Sequence, residues 1–152
     1  MAHTQTLIII PTYNERDNVS KMVSAVLDLN LGYHILFIDD NSPDGTADQI
    51  ALLMKKHPEV FLEKRAGKLG LGTAYIHGFQ WAIERGYGFV IEMDCDFSHN
   101  PTDLPRLVKA CEDGADFAIG SRYVRGGKVK NWPFKRILMS YFASVYVRMI
   151  LM

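Results

Sequence analysis

A mostly parallel α/β sheet with helices on both faces is the fold class this chain predicts, and three observations carry that prediction. Short, largely apolar runs recur along it, at residues 6–10, 33–38, 87–93 and 115–119. Between them lie segments whose apolar residues repeat every 3.6 positions, the mark of a helix with one buried face. The runs also end in polar, turn-forming clusters, which in a parallel sheet all fall at the carboxyl edge of the strands.

Taken in order, Thr6 to Ile10 reads as a buried strand stopped at Pro11. Asn14 is placed to cap a helix over 15–29, with Val19, Met22, Val23, Val26 and Leu27 inward. Tyr33 to Ile38 is a second strand ending at Asp39-Asp40, and Asn41 to Thr46 is dense turn chemistry. A helix over 46–56 follows, then a short strand from Val60 to Glu63. Gly67-Lys68-Leu69-Gly70-Leu71-Gly72 opens a helix over 71–85. This loop matches neither the dinucleotide-binding fingerprint nor a Walker A loop, because no Gly-Lys-Ser/Thr closes it. It suits either an anion at the helix N-terminus or a plain flexible connection. Residues 87–93 form the strand that delivers Asp94 and Asp96, 102–112 a helix, and Ala115 to Ile119 a fifth strand ending in Gly120-Ser121-Arg122-Tyr123.

The chain has 152 residues, 48% of them apolar and 22% charged, which describes a globular protein with a core of its own. Cys95 and Cys111 make no disulfide framework, so a reducing, cytoplasmic setting is expected. No secretory leader and no complete membrane span is evident. Net charge is zero but polarised. All seventeen acidic residues precede Phe117, and seven of the seventeen basic ones follow it. That basic C-terminal region either faces something anionic or is simply a solvated loop. A nucleic-acid partner is not expected.

Asp94 and Asp96 stand two residues apart after a strand, so continued strand geometry points both carboxylates one way. Two such charges repel, and a hard cation, Mg²⁺ or Mn²⁺, with phosphates completing its shell, is one means of holding them together. Capping of the strand end or turn explains an isolated Asp-x-Asp as well. Cys95 between them reads as a space-filling thiol.

Pro11-Thr12-Tyr13-Asn14-Glu15-Arg16, Asp39 to Thr46, Asp94-Cys95-Asp96-Phe97-Ser98-His99 and Gly120-Ser121-Arg122-Tyr123 together resemble, in order and spacing, the family 2 glycosyltransferases. Within them the likeness is to dolichol-phosphate (polyprenol-phosphate) mannose synthases, and it covers nearly the whole chain. The resemblance implies a Rossmann-like GT-A fold, GDP-mannose or another nucleotide sugar as donor, a polyprenyl or dolichyl phosphate acceptor, and Mg²⁺ or Mn²⁺. It implies that Pro11, Tyr13 and Glu15 line the nucleotide pocket and that Ile38 and Asp40 hold the base and ribose end. Asp94 and Asp96 would flank the metal, Cys95 would lie beside the donor through its backbone, and Arg122 would meet donor phosphate or sugar. Family members often carry Ala at the position of Cys95 and Gln or Ser at that of Ser98, where Ser is the weaker ligand.

The implied reaction is a single inverting displacement by a lipid phosphate, which is already anionic and needs no strong base. Residues 1–124 would form the donor-binding core, and 125–152 a basic loop and apolar helix at the start of an acceptor-facing region. Relatives continue beyond this point, so the chain is expected to be truncated inside a helix, with activity in question. Ile137 to Met152 is too short to span a bilayer. With six basic residues before it, it suits the cytoplasmic membrane interface, or packing on the domain. Two other classes remain open: a Mg²⁺-dependent phosphoryl-transfer or receiver-type domain, and a fragment that binds nucleotide sugar without turnover.

Overall fold

The computed structural model describes residues 5–121 and 133–151. Four strands, β1 (Thr6–Thr12), β2 (His34–Asp39), β3 (Val60–Lys64) and β4 (Phe89–Glu92), form one parallel sheet in the order β3-β2-β1-β4. The helices are α1 (Arg16–Leu27), α2 (Thr46–Met54), α3 (Leu71–Glu84), α4 (Leu104–Glu112), entered through a 3₁₀ turn at Pro101–Asp103, and α5 (Phe134–Leu151).

The two-residue alternation of side chains along the strands builds two cores. Ile8, Ile10, Ile35 and Phe37 face Val19, Met22, Val23 and Val26 of α1, Ile50 of α2, and Leu104 and Val108 of α4. Leu7, Ile9, Leu36 and Ile38 face Ala74, Trp81 and Ala82 of α3. Because β1 and β2 are covered on both sides, they read as unbroken apolar runs rather than alternating ones. Helices therefore lie on both faces of the sheet, as expected.

Strand order reverses at β1. The chain steps outward from β1 to β2 and β3, then returns to place β4 on the other side of β1. Loops leaving β1 and β4 diverge at such a point and open a crevice beyond the strand ends. These are the loops that carry Tyr13 to Glu15 and Asp94 to Asp96.

Three expectations are corrected. The strand expected at Ala115 to Ile119 is absent: residues 115–121 have no regular structure, and Phe117 and Ile119 are 75% and 74% exposed. An apolar run becomes a strand only where a ladder partner and burial reward it, and here neither does. Asn14 does not cap α1. It adopts a left-handed conformation (φ 61°), and the cap position passes to Glu15, whose side chain makes no capping bond. Finally, α5 starts at Phe134, three residues before the apolar tail was expected to begin, with the Pro133 carbonyl accepting from the N–H groups of Arg136 and Ile137.

The chain divides into two compact units, Met1–Ala118 and Ile119–Met152. In the second, α5 leaves Phe134, Met139, Phe142, Tyr146, Met149 and Ile150 exposed. Among the described residues, no helix is long and apolar enough to cross a membrane.

Candidate donor-binding site

The loop after β1 is held by the loop after β2 rather than by its own residues. Three consecutive backbone N–H groups at the start of α1 lack partners within the helix. Asn14 N–H donates to Ser42 Oγ (3.1 Å), Glu15 N–H to Thr46 Oγ1 (2.9 Å) and Arg16 N–H to Asp44 Oδ2 (3.2 Å). Behind them, fully buried Asp39 accepts from Thr12 Oγ1 (3.0 Å), Ser42 N–H (2.9 Å) and Ser42 Oγ (2.6 Å). Asp44 likewise accepts from Thr46 N–H (3.0 Å) and Oγ1 (2.6 Å). The dense turn chemistry of residues 41–46 is thus a brace for the Tyr13–Glu15 loop.

Partial desolvation works to raise the Asp44 pKa, but the hydrogen bonds from Thr46 and Arg16 outweigh it and hold the carboxyl below its ordinary value of 3.8. A carboxylate with a depressed folded pKa stabilises the fold above the unfolded value and loses that contribution as pH falls through the folded one. Asp44→Ala, which removes the acceptor of these hydrogen bonds, is therefore expected to lower stability at pH 7 by roughly 1 kcal/mol, about 2–4 °C for a chain of this size. The difference from wild type should shrink once pH drops below 3.8, as read by thermal melts followed by circular dichroism.

At the end of β4, Met93 and Cys95 point into the α1/α4 core, while Asp94 and Asp96 stay at the surface. The Asp94 side chain is 42% exposed; Tyr75 OH of α3 donates to its Oδ1 (3.4 Å), and His99 Nε2 lies 3.9 Å from its Oδ2. The other ring nitrogen, His99 Nδ1, accepts from Asp94 N–H (3.2 Å), which leaves Nε2 as the protonated one. Asp96 Oδ1 accepts from Ser98 N–H (2.8 Å). That bond, the Ser98 hydroxyl and the His99 field keep the Asp96 carboxyl below the usual range, so it is a carboxylate at neutral pH. Phe97 follows with φ 61°, an unusual conformation for a bulky residue and one that concentrates at functional loops.

Burial, then the charges of Glu15, Asp96 and Asp94, push the Cys95 thiol up to about 12. The thiol is inert, and the three carboxylates that act on it share one locality. Burial and the carboxylates of Asp94 and Glu92 raise the Tyr75 phenol, which therefore remains a hydrogen-bond donor.

The two-carboxylate set fits Mg²⁺ or Mn²⁺ held jointly with a diphosphate. Among the described residues no group of three His, Cys, Asp or Glu is assembled around a metal position. A cation held by these two carboxylates alone would leave most of an octahedral shell to phosphate and water.

The remaining expected site residues fall as follows. Pro11 is the penultimate residue of β1, in register with Ile38. The Ile38 side chain is fully buried under α3, so only its main chain can face a ligand. Tyr13 is partly exposed, with Lys68 Nζ 4.4 Å from its ring centroid. Both Asp40 carboxylate oxygens are taken by Arg65, which the sequence did not single out. Arg122 lies outside the described residues. Tyr75, His99 and Arg65 were missed because each acts through a partner distant in sequence or in a turn.

Comparison with known proteins identifies the family and the fold. Residues 7–149 match Glycosyl transferase family 2. The chain is 49% identical over 150 residues to a polyprenol monophosphomannose synthase of Mycolicibacterium smegmatis, spanning 97% of this chain and 56% of that protein. It is 44% identical to a dolichol-phosphate mannosyltransferase of Pyrococcus furiosus, spanning 95% and 40% respectively. The chain therefore covers about half the length of these curated relatives. Among solved structures, the mannosyltransferase PcManGT of Pyrobaculum calidifontis, in complex with GDP-Man and Mn²⁺, shares the GT-A fold. Its TM-score is 0.51 at 21% identity, over 60% of this chain and 27% of that one. A match running from the first strand into the last helix shows that the chain belongs to glycosyl transferase family 2.

Proposed function

We propose that this chain is the donor-binding part of a metal-dependent, inverting mannosyltransferase that moves mannose from GDP-mannose to a polyprenyl or dolichyl phosphate. The observation that carries the reading is that the braced Tyr13–Glu15 loop and the Asp94/Asp96 pair follow β1 and β4, the neighbouring strands at which the strand order reverses. The names of the relatives and the GDP-Man and Mn²⁺ bound by the structural neighbour supply the sugar, base and acceptor.

In this reading an oxygen of the lipid phosphate attacks the anomeric carbon as the bond to the donor's β-phosphate breaks, inverting the configuration. A bound Mg²⁺ or Mn²⁺ supplies charge neutralisation for the leaving GDP. Asp94 and Asp96 would hold it, with Tyr75 and His99 orienting Asp94 and the Ser98 N–H holding Asp96 as a carboxylate. Tyr13 and Glu15 line the nucleotide pocket, with Arg122 assigned to donor phosphate or sugar by the family likeness.

The exposed apolar side chains of α5 and the basic residues before it support a peripheral position on the cytoplasmic face of a membrane. Purified chain with Mn²⁺, radiolabelled GDP-mannose and a short polyprenyl phosphate tests the proposal. Organic-extractable, mannose-bearing lipid is the expected product. GDP binding with no product would mark a donor-binding fragment whose remaining machinery lies in the other half of its relatives' length. Absence of Mn²⁺-dependent GDP binding would overturn the reading.

A further inference from the structure

Between the ends of β2 and β3 sits a buried ion pair that joins Asp40 to Arg65, a residue to which the family likeness gives no role. Arg65 Nε and Nη2 donate to Asp40 Oδ1 and Oδ2 at 2.5 and 2.7 Å, with the two side chains only 7% and 11% exposed. The guanidinium reaches further: Nη2 donates to the Gly70 carbonyl (3.1 Å), and Nη1 to Thr73 Oγ1 (2.7 Å) in the first turn of α3. One side chain thus fastens the residue after β2, the glycine loop and the start of α3. That loop also carries Lys68, whose ammonium lies over Tyr13.

The pair is poorly explained as a stabilising device. Desolvating two charges costs about as much as their attraction returns, and apolar replacements are often neutral or better. Its place is more telling: it stands at the carboxyl edge of the sheet, where ligands of parallel α/β folds bind, and not at the opposite edge. A carboxylate has about four lone-pair sites, and a bidentate guanidinium takes two. The orientation of the other two is then fixed for a donor such as a ribose hydroxyl or a base N–H.

We propose that Arg65 is a positioning residue for the nucleoside end of the donor: it aims Asp40, and it seats the glycine loop against the Tyr13 ring without itself touching the ligand. This rests on the nucleotide-sugar reading above.

Two probes separate the possibilities by calorimetry, GDP with Mn²⁺ and inorganic pyrophosphate with Mn²⁺. Arg65→Lys, which keeps the charge but loses the fork, and Arg65→Met are expected to weaken GDP binding by about 10- to 100-fold, the range typical of groups that orient a liganding side chain. Pyrophosphate binding should stay within about twofold of wild type, since the Asp94/Asp96 pair is untouched; a merely structural role would depress both probes together. The effect must also vanish in an Asp40→Asn background, where no carboxylate is left to aim.

Circular dichroism establishes folding, and Arg65→Lys decides the matter should Arg65→Met not fold. Unchanged GDP affinity in folded Arg65→Lys overturns the proposal, as does equal loss of both probes. Losses that multiply in Asp40→Asn/Arg65→Lys also overturn it, by showing that Arg65 touches the ligand itself. Failure of wild type to bind either probe overturns the nucleotide-sugar reading and this inference with it.

Discussion

On the proposed function, Asp94→Asn and Asp96→Asn are each expected to reduce mannosyl transfer by at least about 10²–10³-fold, the scale seen when one group stabilising developing charge is removed. The substitution keeps size and shape and removes only the charge. Asn at position 96 still accepts the Ser98 N–H, and Asn at position 94 still accepts from Tyr75, so both local turns survive. Thermal midpoints should accordingly move by no more than a few degrees. What would disappear is the hold on a cation, because among the described residues no three His, Cys, Asp or Glu side chains are grouped around a metal position. The measurement is GDP binding with and without Mn²⁺, alongside transfer. The expected result is loss of the Mn²⁺-dependent increment in both variants, with GDP binding in the absence of metal unchanged from wild type. If both variants kept full Mn²⁺-dependent binding, the pair would be no more than a turn cap.

How far this arrangement was legible in the sequence depends on how local each contact is. Tyr13, Glu15, Asp94 and Asp96 follow directly from strands that their apolar runs announce, and a parallel sheet brings all strand ends to one edge. The Asp40–Arg65 pair joins residues 25 positions apart, and only the β2–β3 register, Asp39 opposite Lys64, brings them together. Tyr75 fits the apolar stripe of α3 and reads as core; its hydroxyl reaches Asp94 because α3 crosses beneath β4. Asn14 carries the side chain of a helix cap, yet the pull of Ser42, Thr46 and Asp44 on three successive N–H groups sets that loop instead. The same non-locality explains residues 115–119, whose strand propensity finds no ladder.

Gly78→Val should be strongly destabilising, costing about 2–4 kcal/mol in urea unfolding. A Cβ built on Gly78 would sit 2.7 Å from both Cδ1 and Cγ2 of Ile9. Ile9 is fully buried in β1, the strand with neighbours on both sides, and cannot step aside. A glycine in a helix interior ordinarily costs about 1 kcal/mol relative to alanine, so α3 tolerates it in return for close approach to the sheet. Gly78→Ala sets that propensity gain against an overpacking cost of about 1–3 kcal/mol, for a smaller net loss. Valine adds two more methyl groups to the clash and gives up most of the propensity gain. Trimming Ile9 to Val should recover part of the Gly78→Ala loss, a non-additivity expected only of residues in contact. The site should register the change too, because lifting α3 from β1 draws Tyr75 from Asp94 and Thr73 from Arg65. A Gly78→Ala variant as stable as wild type, with undiminished GDP binding, would show that α3 is free to ride outward and that its seating does not govern the site.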